Sequence, residues 1–518
     1  MERDDTDVLV IGSGLAGCAA ALMAARGGAR VTMLNKADRA EESNTWHAQG
    51  GIIYRGVLDS PEQLAADITA AGAGLCNPAA VDLLSREGPR LVKDFLIDDI
   101  GVPFDRAADG QLDLTAEAAH SVARIIHTED MTGKSIEESM IAAVKREPNI
   151  TLLTGRSALD LLTLSHHSGN LLDVYAQPTC IGAYVFDHAA RHVDRMLAKE
   201  TILATGGLGR IFLHTTNPAG SCGDGVAMAY RAGARCINMH FVQFHPTTLY
   251  HGSERFLISE SLRGEGARLI DAAGREFMQA YHPDGSLAPR DIVARGIHQM
   301  MHETGARCAY LDISHKPADW IRTRFPGIYA KCREVGIDIT SQPIPVVPAA
   351  HYSCGGVAVD LRGRSSLHRL RAVGEVSCTG LHGANRLAST SLLECLVWGT
   401  RAGEDAALAV KSGEDFYLPE IAPWQHETEA VDPALVAQDW LTIRQTMWNY
   451  VGLVRTRKRL DRAQQILREL HLEVGRFYAR SELNDGLIGL RNGIQTALVV
   501  LLAATEARES RGCHYRAD

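Results

Sequence analysis

The chain has 518 residues, 46% of them hydrophobic and 22% charged, with a formal net charge of −9. That length exceeds what one compact core holds, so roughly two to four domains are expected. The acidic balance leaves no electrostatic footprint for nucleic acid and turns the reading toward small-molecule chemistry.

The N-terminal stretch MERDDTDVLVIGSG is acidic and leads into a strand, which does not read as a secretory signal. The next string, DVLVIGSGLAGCAAALMAARGGARVTMLNK, has the form strand, glycine-rich turn, helix, strand. Val8 to Ile11 are predicted as a buried strand, Gly12-Ser13-Gly14-Leu15-Ala16-Gly17 as the turn, and the Ala-rich run to Ala25 as a tightly packed helix. In such a unit Gly12 turns the chain, Gly14 lets a pyrophosphate approach the backbone, and Gly17 lets helix and strand close together. The pyrophosphate then rests on the helix N-terminus. After the second strand, Val31 to Leu34, a nicotinamide site would carry an acid for the ribose, but Asn35-Lys36 stands there, with Asp38 a partial substitute.

Further stretches favour a flavin. Ser43, Asn44, Thr45, Trp46, His47, Ala48, Gln49 and Gly50 form a small polar loop able to lie along a cofactor. ETILATGG reads as a buried strand ending in a tight turn, SCGDG offers Asp224 to a hydroxylated chain, and AVGEV supplies Glu375. STSLLECL, with Ser389, Ser391 and Leu392, opens a helix whose N-terminus would stabilise an anionic reduced flavin. Between these stretches, LTAEAAHS carries one carboxylate, Glu117. Thr115 followed by Glu117 reads either as a helix start with acid in its first turn or as a reader of a cationic group.

Toward the C-terminus, Ile443, Met447, Tyr450, Val451 and Val454 recur at helical spacing, and the basic run Arg455 to Arg462 reads as a solvated helix face. The apolar run Ala497 to Ala504 is far shorter than the roughly 20 residues a membrane span needs. Eleven cysteines stand singly, with no CxxC pair, so neither a disulfide framework nor a metal site is expected. A reducing cytoplasm is the consistent setting.

The ordered strings GSGLAG, SNTWHAQGG, ATGG, QFHPTTLY, SESLRGEGARL, APRDIVARG, PAAHYSCGGVAVD and GEVSCTGLHGANRLASTSLLECLVWG resemble the succinate dehydrogenase and fumarate reductase flavoprotein family nearly end to end. They are most similar to the members that oxidise L-aspartate. The resemblance implies an α/β fold: a Rossmann-like FAD-binding domain in two pieces (1–239 and 352–422), an inserted α+β capping domain (240–351), and a C-terminal helical domain (423–518). It also implies FAD, held here non-covalently, because the histidine that forms the flavin bond in covalent members is replaced by Asn44.

By the same resemblance, Arg386 clamps the α-carboxylate, His245 and Ser259 receive the other carboxylate, and His351 joins them. Arg290 is the proton-transfer or electrostatic residue, backed by a chain through Glu260 to Arg263. Glu117 falls where L-aspartate-oxidising members read the substrate ammonium, although Ala116 replaces a frequent Arg and Ala118-Ala119 replace glycines, and His120 either contacts substrate or braces the loop. The implied reaction takes L-aspartate to iminoaspartate, with dioxygen or fumarate as electron acceptor, as the first step of NAD biosynthesis from aspartate. A transient contact with quinolinate synthase is implied as well, and no nucleic-acid or membrane partner. The alternatives are a soluble fumarate reductase or succinate dehydrogenase flavoprotein subunit, a non-catalytic flavin- or nicotinamide-binding module, and a nicotinamide-dependent dehydrogenase.

Overall fold

A computed structural model describes residues 6–117, 119–129, 131–252, 255–413, 417, 419–425 and 429–518. Ala118, weighed above in the Glu117 loop, lies outside the described residues. The central sheet runs in the order Ile150–Leu153, Val31–Leu34, Thr6–Ile11, His192–Leu203, Cys180–Asp187, Arg156–Thr163, and Leu370–Ala372 pairs with His192–Leu203 as well. Its first four strands are parallel and its last two pairings antiparallel. The Thr6–Ile11 strand is almost entirely buried, as a strand covered on both faces must be, which explains its unbroken apolar run.

Helix Leu15–Arg26 covers one face and packs closely on helix Thr390–Lys411. A side chain at Gly399 would come within 2.6 Å of the Ala16 carbonyl, and one at Gly403 within 2.2 Å of the Ala20 carbonyl. Small residues on both helices therefore let the backbones approach, so the helix that follows the Glu375 segment is stacked against the helix of the glycine-rich turn.

A second, antiparallel sheet is built from Val242–Leu249, Ile344–Ser353, Ala309–Asp312 and Arg268–Ile270. With helix Arg290–Thr304 it encloses its own core, in which Leu249, Leu262, Leu269, Val293, Ile297, Leu311 and Val346 meet. The register between Val242–Leu249 and Ile344–Ser353 shifts on either side of His245. Such bulges re-aim side chains, and here one does so at a predicted site residue.

Three C-terminal helices, Pro433–Tyr450, Arg457–Arg480 and Asp485–Glu506, share a core with the central sheet, in which Leu9, Leu203 and Val226 meet Ile443, Leu467 and Val500. Three readings are corrected here. The apolar run near Ala497 belongs to a 22-residue helix of mean hydropathy 1.6 that passes the length test for a membrane span, and 72% of that window is buried inside the protein. Arg455 is not on a solvated face: it is fully buried, donating to the carbonyls of Val451, Gly452 and His240 and contacting His514. No helix starts at Thr115: that residue pairs as an isolated bridge with Ile125, and Glu117 sits in irregular chain.

Candidate active site

The glycine-rich turn has the geometry its sequence predicts. Gly12 has φ +116°, and a side chain there would lie 2.2 Å from the Ala204 carbonyl; one at Gly17 would lie 2.0 Å from the Gly12 carbonyl. Only glycine fits either place. A side chain at Gly14 would lie a tight 3.3 Å from Thr45 Oγ1 and 3.5 Å from Ser43 Cβ, and the Thr45 hydroxyl accepts a hydrogen bond from Leu15 N at 3.1 Å. Ser13 donates to the Ala40 carbonyl, and Asn35 donates to the Ser13 hydroxyl. Asn35, where a ribose-binding acid would stand, is thus a brace for the turn, while Asp38 is exposed.

Around this cradle, Asn44 accepts from Ser221 at 2.6 Å and donates to Glu375 at 3.1 Å. Glu375 also accepts from Ser353 N and lies against Gly207, where a side chain would meet its carboxylate at 2.3 Å. Burial raises the Glu375 carboxyl to about 7. Both Asp224 oxygens are engaged, one by Lys36 at 2.7 Å and one by Asn492 at 2.9 Å, so Asp224 faces its own protein neighbours. The Trp46 ring is met by the cationic heads of Arg39 and Lys134, and His47 is exposed beside Glu42. A turn that excludes side chains, followed by a helix N-terminus and polar loops, fits the pyrophosphate and hydroxylated chain of a dinucleotide.

The second cluster lies where the antiparallel sheet meets the central body. The rings of His245 and His351 are 5.8 Å apart. Thr247 presents both its carbonyl (3.1 Å) and its N–H (3.3 Å) to His245 Nδ1, so either ring tautomer is held; accepting from the N–H leaves Nε2 free to donate. His351 Nδ1 shares a 2.8 Å hydrogen bond with Thr216. Burial, reinforced by Arg290 and Arg263, holds His245 well below the usual imidazole range; burial and Arg386 do the same to His351.

Arg386 is buried with its guanidinium 4.8 Å from the Tyr352 ring and, among the described residues, has only long contacts to Leu387 O and Ser391 and an Nε without a partner. Glu260 receives Arg290 at 2.7 Å on one oxygen and Arg263 at 2.5 Å on the other, which realises the predicted chain of three. Burial alone would raise the Glu260 carboxyl; Arg290 and Arg263 outweigh it and hold the group low. Ser259 is turned to Ser261, sharing a 2.9 Å hydrogen bond with its hydroxyl and accepting from its N–H, as a local turn does. Three arginines against one buried carboxylate leave this pocket net cationic, as a dicarboxylate requires.

Glu117 is the acid at the edge of this field. It accepts from Ser389 Oγ at 2.8 Å, and Gly50 of the cofactor loop lies against both. His120 Nε2 faces the Ala388 carbonyl at 3.0 Å, so it is the donor and braces the loop. Behind the loop, the fully buried Arg124 bonds Asp59 and Asp67, and Asp67 accepts from Ser121 N and Oγ.

Two residues beside Arg386 had no mark in the sequence. Gln243 is 2% exposed, donates to Asn385 and to the Arg386 carbonyl, and leaves its Oε1 unpartnered among the described residues. It stands two residues before His245 on the same strand, a period-2 signal that could have found it. Tyr352, which carries Arg386 on its ring, also donates to Glu394 at 2.9 Å.

Comparison with known proteins gives two family matches and full-length relatives. The FAD binding domain family matches residues 7–392, and the fumarate reductase flavoprotein C-terminal family matches residues 441–518. The chain is 44% identical over 522 residues to the L-aspartate oxidase of Vibrio cholerae, covering 99% of this chain and 95% of that one. It is 45% identical over 514 residues to the L-aspartate oxidase of Halobacterium salinarum, covering 99% and 96%. In structure it matches the FrdA chain of E. coli quinol fumarate reductase with a TM-score of 0.87 at 27% identity, covering 100% of this chain and 92% of that one.

Proposed function

Because the chain belongs to the flavoprotein family that unites the L-aspartate oxidases with the fumarate reductases, we propose that its pocket oxidises L-aspartate to iminoaspartate. It is an FAD-dependent oxidoreductase, an L-aspartate oxidase by its full-length relatives. The observation that carries the residue-level reading is the position of Glu117, an acid that acts on Arg386 beside a pocket whose net charge is otherwise cationic. A substrate with two carboxylates and no ammonium gains nothing from it.

In this reading Arg386 holds the α-carboxylate. Its partly unpartnered, buried guanidinium is costly until an anion arrives. His245 and His351, kept neutral by burial and by the neighbouring arginines, add hydrogen bonds at the far carboxylate, with Ser259 close by. Glu117 pairs with the ammonium and takes up its proton as the C=N bond forms. Arg290, steadied by Glu260, stabilises developing charge, and Glu260 and Arg263 continue the line of polar groups behind it. Bound FAD supplies the two-electron acceptor; Gly12, Gly14, Gly17, Asn44, Gly50 and Glu375 hold it, with Asn44 excluding a histidyl link.

Dioxygen, giving hydrogen peroxide, or fumarate, giving succinate, takes the electrons onward. The unit with its own core around residues 240–351 acts as the cap over the substrate. A cytoplasmic setting, with iminoaspartate passed on in transient contact with quinolinate synthase, completes the proposal.

The test is an anaerobic absorbance titration of the purified holoenzyme. L-Aspartate should bleach the flavin band and succinate should not. Bleaching by succinate alone would make this a dicarboxylate oxidoreductase of the fumarate reductase kind and leave Glu117 without an ammonium to read.

A further inference from the structure

Ser389 precedes helix Thr390–Lys411 at the position where a serine normally turns its hydroxyl to a free N–H of the first helical turn. Here it makes no such bond. It is also left-handed, with φ +56°, a region that non-glycine residues occupy only when something holds them there. Its hydroxyl instead crosses to the loop of Glu117 and donates to Oε2 at 2.8 Å. A capping bond is forgone and backbone strain accepted for one contact to a carboxylate 272 residues away.

The surroundings make that contact a fixed one. The preceding residue receives His120 on its carbonyl, so the loop is tied to the helix start at two points. Asp67 and Arg124 anchor the loop from the other side. Gly50 lies against both partners, where a side chain would sit 3.4 Å from Glu117 Oε1 and 3.5 Å from Ser389 Oγ. Ser389 itself is buried.

We propose that Ser389 is a specificity-determining positioning residue: it holds one oxygen of Glu117 so that the other is presented to the substrate ammonium. This rests on the reading of Glu117 given above. A free carboxylate at the rim of a cationic pocket would swing toward Arg386 and compete with the substrate for it. Tied by Ser389, Glu117 selects for a cationic group without neutralising the clamp for the carboxylate. Discrimination between L-aspartate and succinate is therefore set by a pair, of which one member never touches the substrate.

The test uses Ser389→Gly, which removes the hydroxyl and accepts the left-handed backbone, and Ser389→Asn, which also tolerates that backbone and keeps a donor. Ser389→Ala is the second donor-less variant should the glycine loosen the helix. Bound FAD content, read from the absorbance ratio of flavin to protein, reports whether each variant is intact. Dissociation constants for succinate are read from flavin spectral shifts, and those for L-aspartate from the concentration dependence of the anaerobic flavin-reduction rate.

Loss of a charge-assisted hydrogen bond should weaken L-aspartate binding about tenfold or more in Ser389→Gly, leave succinate within about twofold, and be largely restored in Ser389→Asn. In a Glu117→Gln background the Ser389→Gly effect should vanish, because the pair acts as a unit. Equal loss for both ligands, or no loss for L-aspartate, while Glu117→Gln still weakens L-aspartate alone, overturns the role of Ser389. If Glu117→Gln itself weakens both ligands equally, it is the ammonium reading that fails.

Discussion

Glu260 is the residue on which the arginines of the pocket depend. It is mostly buried, with one arginine on each oxygen, and its low proton affinity is the mark of a carboxylate that two cations keep ionised. Replacing it by Gln keeps the shape, removes the charge and leaves Arg290 and Arg263 to repel each other. The expected outcome is a fall in kcat of about 100-fold, the range for a misplaced proton-transfer or electrostatic group, with KM for L-aspartate moving less than about threefold. Steady-state kinetics with a check of FAD content decides it; an unchanged kcat would remove Glu260 from any role behind Arg290. At this scale the sequence was most informative where chemistry is written as a local string, as in GANRLAS or PRDIVAR. It was silent where the residue type is ordinary and the partner distant. Glu117 was visible as a lone acid, but its tie to Ser389 spans 272 residues and two unconnected segments. Ser259, by contrast, looked like a ligand and is turned into its own loop.

Among the elements, the helix Thr390–Lys411 carries the largest electrostatic commitment. Asp405 on its inner face, 2% exposed, accepts from Arg362, Arg364 and Arg371, and Arg371 also pairs with the buried Glu200 of the central strand His192–Leu203. The helix that starts beside the pocket is thereby pinned to the sheet. Burial opposes the charge on Asp405, but Arg364 and Arg371 overcome it and bring the carboxyl down to about 2. A carboxyl depressed in the folded state contributes stability above its unfolded value of about 4, and that contribution disappears as pH falls toward 2. Asp405→Asn, which leaves Arg371 with half its partners, should therefore cost about 3–5 kcal/mol at pH 7. Urea unfolding at saturating FAD reads this; a cost below about 1 kcal/mol would mean the arginines find water instead. The element boundaries near this helix were legible, since strand, turn and helix periodicity is local. Its packing was not: Gly399 and Gly403 mark the contact with Leu15–Arg26 only once the partner helix is known. The same limit explains the C-terminal helix Asp485–Glu506: in sequence its apolar run reads as too short for a membrane, the helix that contains it is long enough, and its apolar surface is accounted for by burial inside the protein.

The whole molecule shows an asymmetry in its histidines. Burial lowers the pKa of His120, His167, His214, His240, His245, His298, His351, His471 and His514. Among these, His214 and His514 are lowered to about 3, and His240 and His298 to about 4. A histidine buried neutral binds fewer protons folded than unfolded between its folded value and about 6.5, so stability falls as pH drops through that window. Each contributes a slope of up to about 1.4 kcal/mol per pH unit. Buried carboxyls work in the opposite direction. Glu137, Glu200, Glu375 and Asp439 are raised by burial, so stability falls as pH rises from their unfolded to their folded values, stays reduced above them, and is regained on acidification through that window. His214, His240, His298 and His514 stay neutral through the window between about pH 4.5 and 6.5, joined by His245 and His351, which lie well below the usual range, and these six prevail over the four carboxyls. The enzyme should lose several kcal/mol on going from pH 7 to 5.5, before the Asp405 cluster begins to titrate. The buried Arg455 sets part of this slope, because its neighbours His514 and His240 would bring further positive charge to a guanidinium with no carboxylate partner among the described residues. Denaturant midpoints at pH 7.5, 6.5 and 5.5, all at saturating FAD, separate the two signs. A midpoint that is flat or rises toward pH 5.5 would show that the buried carboxyls, not the histidines, set the acid response, whereas a steep fall whose slope is reduced in His514→Gln would assign part of it to the pocket around Arg455.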